Sequence, residues 1–312
     1  MAQKNQIQPK AAGLDELNHA LSVMIAKWTT KEGDFATPVP SLSLFRREHP
    51  SKPIFCMVEP SVLIVVQGEK KMWVGDDAYR YNNSHFLVTS LDLAGKSEVL
   101  TASVNEPCLG LLIKLDLSLL TDLIVQSHLP PLREKVSGVG VGIGTVTPTI
   151  LEPIKRLMAL ADEPDSISVL APLIQREIHY RLLQSDQAYW LRQIASIDSQ
   201  GHRISRAIDW LKMNYSEPLR VDELASKVQM STPTFHHHFR QLTTMSPLQY
   251  QKWLRLNEAK RLMLSEHLNA ASAAIEVGYE SPSQFSREYT RLFGAPPKRD
   301  IENLRQQVAT AH

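Results

Sequence analysis

Disulfide chemistry has almost no material in this chain: Cys56 and Cys108 are the only two cysteines in 312 residues. The cysteine framework of a small secreted scaffold is thereby excluded, and a reducing cytoplasm is the expected compartment. Long apolar runs are missing too. The strongest, Val62–Val66, stops at Gln67, far short of the ~18–20 residues that a membrane span needs. The opening MAQKNQIQPKAAG lacks the apolar core of a secretion signal, so no membrane partner is expected. Charge of one sign is also scarce, with a formal net of +1. What is there is ordinary globular composition, 43% hydrophobic and 21% charged. Against a prior of roughly 150 residues per domain, the length implies two domains, each able to bury a core.

The near-zero net charge hides an asymmetry. Residues 1–200 carry 19 Lys and Arg against 22 Asp and Glu, a net of −3. Residues 201–312 carry 15 against 11, a net of +4, with six of the eleven histidines. A mildly acidic front joined to a basic tail points to a polyanion as the tail's partner.

From about Ser41 to Leu115 the chain reads as strands. The stretches 62–67, 71–75, 78–81 and 85–90 are short and rich in β-branched and aromatic residues, and Gly68-Glu69, Asp76-Asp77 and Asn82-Asn83-Ser84 supply the turns between them. That spacing predicts a small antiparallel barrel or jelly roll. Segments 118–127, 148–161 and 168–185 read as helices, with Ile150, Ile154, Leu157, Met158 and Ala161 on one face. Between them, VSGVGVGIGT (136–145) has glycine at every second position without the G-x-G-x-x-G spacing, and reads as an irregular connector. Leu170, Ile174, Ile178 and Leu182, beside Leu173, give helix 168–185 more apolar surface than one barrel needs to cover. Dimerisation through 148–185 is expected.

The tail is helical, and it repeats. Leu224, Ala225 and Val228 recur as Ala273, Ala274 and Val277, an offset of 49; Ser231, Phe235, Phe239 and Leu242 recur as Ser281, Phe285, Tyr289 and Leu292, an offset of 50. The extra residue falls in the turn between the two helices of each copy. Short helix, tight turn and capped second helix is the helix-turn-helix pattern, here at 221–243 and 270–293. At about 100° per residue, Phe239 and Leu242 fall on the side of Phe235 and face the core. The opposite face shows Pro233, His237, Arg240, Gln241 and Thr244, with His236 on the flank. In the second copy it shows Ser283, Arg287, Thr290 and Arg291, with Gln284 on the flank, while Glu288 lies towards the core side. These are side chains that read base edges or grip phosphates. The linking segment, Pro247–Ser265, is 19 residues, a rod of ~28 Å at 1.5 Å per residue. That is of the order of the ~34 Å between successive major-groove turns.

At this point the residues resemble a family. The stretches MSTPTFHHHFRQLTTMSPLQYQKWLRLNEAKRLML (230–264) and VGYESPSQFSREYTRLFGAPPKRD (277–300) resemble the DNA-binding domain of AraC/XylS-type transcription regulators, over roughly 203–305. The resemblance implies base contacts from Pro233, His236 and His237, and from Ser283, Gln284 and Arg287. PSVLIVVQGEKKMWVGDDAYRYNNSHFLVTS (60–90) resembles the cupin-like N-terminal domain of one subgroup of these regulators. That implies a small-molecule effector, a homodimer, and RNA polymerase as a partner if the protein activates. The expected class is α+β: an N-terminal segment 1–35, a cupin-like β-barrel with helical connector at 36–187, a linker 188–202, and an all-α tandem helix-turn-helix domain at 203–305.

Other chemistries fare worse. Adjacent helical residues point 100° apart, so His236, His237 and His238 do not converge on one metal ion. A metal-dependent cupin enzyme needs several His and a Glu inside the barrel, and the strand region offers His49 and His85 with no H-x-H pair. No G-x-S-x-G elbow occurs. No cofactor is expected. Cys56, Trp73 and His85 are the candidate effector-lining residues, with core packing as the competing reading, and sensing through protein contacts is a third functional possibility.

Overall fold

The structure is a computed structural model that describes residues 9–127, 139–195 and 199–310. Residues 1–8, 136–138 and 196–198, parts of the expected N-terminal segment, glycine-rich connector and linker, lie outside that range. The chain divides into two compact units, Met1–His202 and Arg203–His312.

The first unit opens with a helix, α1 (Pro9–Trp28), whose Leu17, Leu21 and Ile25 are buried at four-residue steps. Nine strands follow: β1 (Gly33–Ala36), β2 (Leu42–Arg47), β3 (Ile54–Val58), β4 (Ser61–Gln67), β5 (Glu69–Val74), β6 (Asp77–Asn82), β7 (His85–Thr89), β8 (Leu93–Thr101) and β9 (Cys108–Lys114). Next come α2 (Leu117–Gln126), β10 (Val141–Thr145), α3 (Pro148–Ala159), α4 (Pro164–Leu183) and α5 (Ala188–Ala195). The strands form an antiparallel sheet in the order β1-β2-β9-β4-β7-β6-β5-β8-β3, with β10 on β7. This is the expected class, with the sheet curled as a half-barrel whose edges are β1 and β3.

Burial explains the curl. Strand β4 is covered on both sides: Val62, Ile64 and Val66 pack into a core with α1, α3 and α4, while Leu63 and Val65 are buried on the other face. Strand β5 alternates, with Lys70, Met72 and Val74 buried and Glu69, Lys71 and Trp73 half-buried, as a strand with one covered face must. The apolar face expected on 148–161 is buried throughout. In α4, Ile174, Ile178 and Leu182 join the unit's own core, which leaves Leu170 and Leu173 exposed beside Val169.

The run at 136–145 corrects the sequence reading. Its second half is strand β10, paired with β7 from Val141–Thr89 to Thr145–His85. The alternating glycines clear one face of that strand. A Cβ on Gly144 would stand 2.2 Å from the Phe86 ring, and one on Gly142 2.0 Å from Gln187 Oε1. The expected linker 188–202 holds α5, whose Leu191 and Ala195 are buried in the same core, and the first residues of the next helix.

The second unit is helical: α6 (Gln200–Met213), α7 (Val221–Lys227), α8 (Thr232–Thr243), α9 (Pro247–Ser265), α10 (Ala270–Glu276), α11 (Pro282–Phe293) and α12 (Pro297–Thr310). Serine, asparagine and proline set the boundaries. Ser246 forms a capping box with Gln249 ahead of Pro247, and Asn269 accepts from the amides of Ala271 and Ser272.

Candidate nucleic-acid interface

Two copies of one motif are built from the same backbone devices. In each, the short first helix closes with a left-handed residue, Gln229 (φ 57°) or Gly278 (φ 84°). The next amide returns to the helix, Met230 N–H to Ala225 O at 3.0 Å and Tyr279 N–H to Ala274 O at 2.9 Å. Ala225 and Ala274 are fully buried, where a small side chain permits close helix crossing. The second helices are capped alike: Ser231 accepts from the Thr234 amide and Ser281 from the Gln284 amide. They also end alike, on left-handed Thr244 (φ 64°) and Gly294 (φ 81°). The first copy therefore places Gln and Thr where the second has glycine. A β-branched residue is strained there by about 1–2 kcal/mol. Thr244→Gly should accordingly raise stability by about 0.5–1 kcal/mol after the unfolded-state entropy of glycine is counted; urea denaturation of the full chain measures it, and a lower midpoint would contradict the assignment.

The faces separate as the periodicity predicts. Phe235 and Phe239 are buried with ring centroids 5.4 Å apart, and Phe285 and Tyr289 repeat the arrangement at 5.5 Å. Pro233, His236, His237, Arg240, Ser283, Gln284, Arg287 and Arg291 are all exposed. Arg240, Arg287 and Arg291 take no ion pair among the described residues. The His236 ring leans edge-on to Phe235, and His237 leans on His238 with centroids 5.2 Å apart. Among the described residues no group of three or more His, Cys, Asp or Glu is placed to hold a metal ion.

Two supports of this interface escaped the sequence reading. Glu288 accepts from Lys252 Nζ at 2.8 Å, Tyr279 Oη at 2.8 Å and Gln284 Nε2 at 3.2 Å. Burial disfavours its charge, but those three donors outweigh burial and hold the carboxyl below its usual range. The result is an anchored Gln284 amide on an exposed helix face. The second support is Arg255 on α9, whose guanidinium donates to the carbonyls of Tyr215, Ser216, Glu217 and Gly278. The Arg255 bonds all join residues more than twenty positions apart, and the Lys252–Glu288 pair spans 36, so no local pattern announces them; Tyr279 and Gln284 lie only nine and four positions from Glu288.

The candidate effector residues scatter. Cys56 pairs with Gly95 on β8, and a Cβ on Gly95 would point at Met72 and Val74, so Cys56 shares their inward face. Trp73 does not line the interior. It lies on the other row of β5, where Nε1 donates to Glu98 at 3.1 Å and the Lys71 ammonium stands over the ring. His85 is exposed at the start of β7, 3.4 Å from Asn82 Oδ1. Strand alternation separates Trp73 from Cys56, and the hairpin turn carries His85 outward.

Comparison with known proteins adds matches to families, to sequences and to a solved structure. The family described as "AraC-type transcriptional regulator N-terminus" matches residues 38–190, and that described as "Helix-turn-helix domain" matches 224–302. The virulence regulon transcriptional activator VirF of Yersinia enterocolitica is 25% identical over 264 residues, covering 82% of this chain and 95% of that protein. The transcriptional activator RhaS of Pectobacterium carotovorum is 28% identical over 151 residues, covering 48% of this chain and half of RhaS. The fatty-acid-bound structure of ToxT from Vibrio cholerae shares the fold at a TM-score of 0.56 over 83% of this chain and 94% of ToxT, with 11% identity.

Proposed function

From the premise that this chain belongs to the AraC/XylS family of DNA-binding transcription regulators, we propose a division of labour between its two units. The second unit reads double-stranded DNA through α8 and α11. Pro233, His236 and His237 on one helix, and Ser283, Gln284 and Arg287 on the other, meet base edges; Arg240 and Arg291 meet phosphate. The observation that carries this reading is the matched pair of helices, each sealed on one side by buried aromatics and exposed on the other with base-reading side chains. The first unit senses a small molecule, as the fatty-acid complex of its fold neighbour illustrates. The mechanism is a population shift in which the effector favours one arrangement of the protein and so changes which DNA half-sites are held. As a regulator it acts in the cytoplasm without catalysis, and contacts RNA polymerase where it activates.

The test is direct. Residues 203–305 expressed alone should fold and bind promoter DNA more weakly than the full chain, with steep salt dependence. A folded fragment that ignores DNA at low salt would sink the reading.

The reading extends to a homodimer through 148–185. Val169, Leu170 and Leu173 on α4 are 65%, 41% and 62% exposed, a contiguous apolar turn at the surface of the first unit. Sedimentation at micromolar concentration should show a dimer that Leu173→Glu returns to monomer. Monomer alone, with and without DNA, is the contrary result.

A further inference from the structure

The interior of the half-barrel holds an ammonium group with no anion beside it. Lys70, the second residue of β5, lies in the inward row with Met72 and Val74 and is 6% exposed. Its register neighbours are Tyr81 on β6 and Val99 on β8. Its Nζ stands 4.3 Å from the centroid of the Phe45 ring, which reaches in from β2, and the Arg47 guanidinium carbon lies 5.9 Å from the same ring. Two cations thus share one phenyl group. Arg47 is satisfied: it donates to the carbonyls of Gly33 and Arg46 and pairs with Asp34 at 2.7 Å. The Lys70 ammonium makes no hydrogen bond or ion pair among the described residues. Tyr81, directly across the ladder, is 1% exposed, and its hydroxyl has no hydrogen-bond partner.

The one carboxylate that acts on Lys70 is Asp34, and it is held in an ion pair by Arg47. Burial pushes the Cys56 thiol up and the Cys108 thiol up to about 11, so both are neutral at ordinary pH. Burial also raises Tyr81, which keeps its proton as a donor. Burial first, then Arg47, pulls Lys70 below its usual value. An isolated buried ammonium is costly, and one aromatic face returns only part of that cost. Folding alone is better served by an aliphatic side chain at this position.

We propose that Lys70 and Tyr81 bind the carboxylate of an apolar small-molecule effector, whose hydrocarbon part lies against Phe45 and Met72. This rests on the reading of the first unit as a small-molecule sensor. A carboxylate accepts from an ammonium and a phenol at once through its two oxygens. One free cation matches one negative charge, because Arg47 is already neutralised by Asp34. Met72, Val65 and Val74 leave the remaining wall apolar, which disfavours a sugar or other polyhydroxylated ligand.

The experiment uses the full chain as wild type, Lys70→Met and Tyr81→Phe. Hexanoate, octanoate and decanoate are each compared with the matching primary alcohol by calorimetry, alongside thermal melting and promoter binding. Wild type should bind the alkanoates about tenfold or more tightly than the alcohols, as a charge-assisted pair implies. Lys70→Met should melt no lower than wild type and lose that preference; Tyr81→Phe should keep the fold and weaken the preference. Alcohols binding as well as acids, an unchanged preference in either variant, or no alkanoate binding at all would each overturn the proposal. Wild-type protein that binds promoter DNA while ignoring every alkanoate rejects the carboxylate site alone. Failure of that protein to bind promoter DNA rejects the regulator reading as well.

Discussion

Arg287→Ala should lose affinity for the operator and relax its preference at one or two base pairs, with little change in stability. Arg287 lies one turn into α11, exposed, while Phe285 and Tyr289 on the other side are fully buried. The helix is capped at Ser281 and its last turn is closed by Gly294, so removing an outward side chain leaves the packing intact. Arginine pairs bidentately with guanine, a contact worth ~1–3 kcal/mol of discrimination, and the loss at the operator should be of that size. Arg291, at the far end of the same helix, is the control. Its removal should weaken operator and random DNA alike and reduce the salt slope by about one. Binding of both variants to both DNAs across a salt series separates the roles. Equal weakening of both DNAs by Arg287→Ala would move that residue from base reading to phosphate.

The parts of this protein that were legible in its sequence are those set by local chemistry. Ser231, Ser246, Asn269 and Ser281 each cap the helix that follows them, a bond that spans at most three residues and so lies within local sequence. The repeat was legible for the same reason: aromatic spacing within one helix is fixed by helical pitch. Left-handed Gln229 and Thr244 were not, since only glycine advertises that conformation. The buried face of α1 at Leu17, Leu21 and Ile25 follows four-residue helical spacing and is equally local. Strand β10 was misread because its glycines serve Phe86 and Gln187, which are distant in sequence. Lys70 falls between the stretches read as strands at 62–67 and 71–75, and lysine is ordinarily outward; only the register with Tyr81 puts it inside.

Arg255→Met should cost the second unit about 3–5 kcal/mol and lower its melting temperature by about 10–20 °C. The guanidinium joins three segments. Nε donates to Tyr215 O at 2.6 Å, Nη1 to Gly278 O at 2.8 Å, and Nη2 to the carbonyls of Ser216 and Glu217, both at 3.0 Å. One turn earlier on α9, Gln251 adds bonds to Tyr215 O at 3.0 Å and Glu217 O at 2.6 Å. The loop after α6, the linking helix and the turn of the second helix-turn-helix are thereby held at one point. Gly278 is required at the same point, since its φ is +84° and a Cβ there would stand 2.1 Å from Ser216 O. Methionine keeps the aliphatic stem of Arg255 and removes every donor, leaving carbonyls that water reaches only in part. Lysine should not rescue the variant, because one ammonium cannot span carbonyls that a planar fork of five donors bridges. The consequence for DNA differs in kind from that of Arg287→Ala. Near the melting temperature Arg255→Met should reduce the fraction of competent protein, and operator and random DNA should lose binding in the same proportion. In the cold, where the unit stays folded, the sequence preference should match wild type. A variant that melts with wild type would show that solvent replaces the guanidinium without loss.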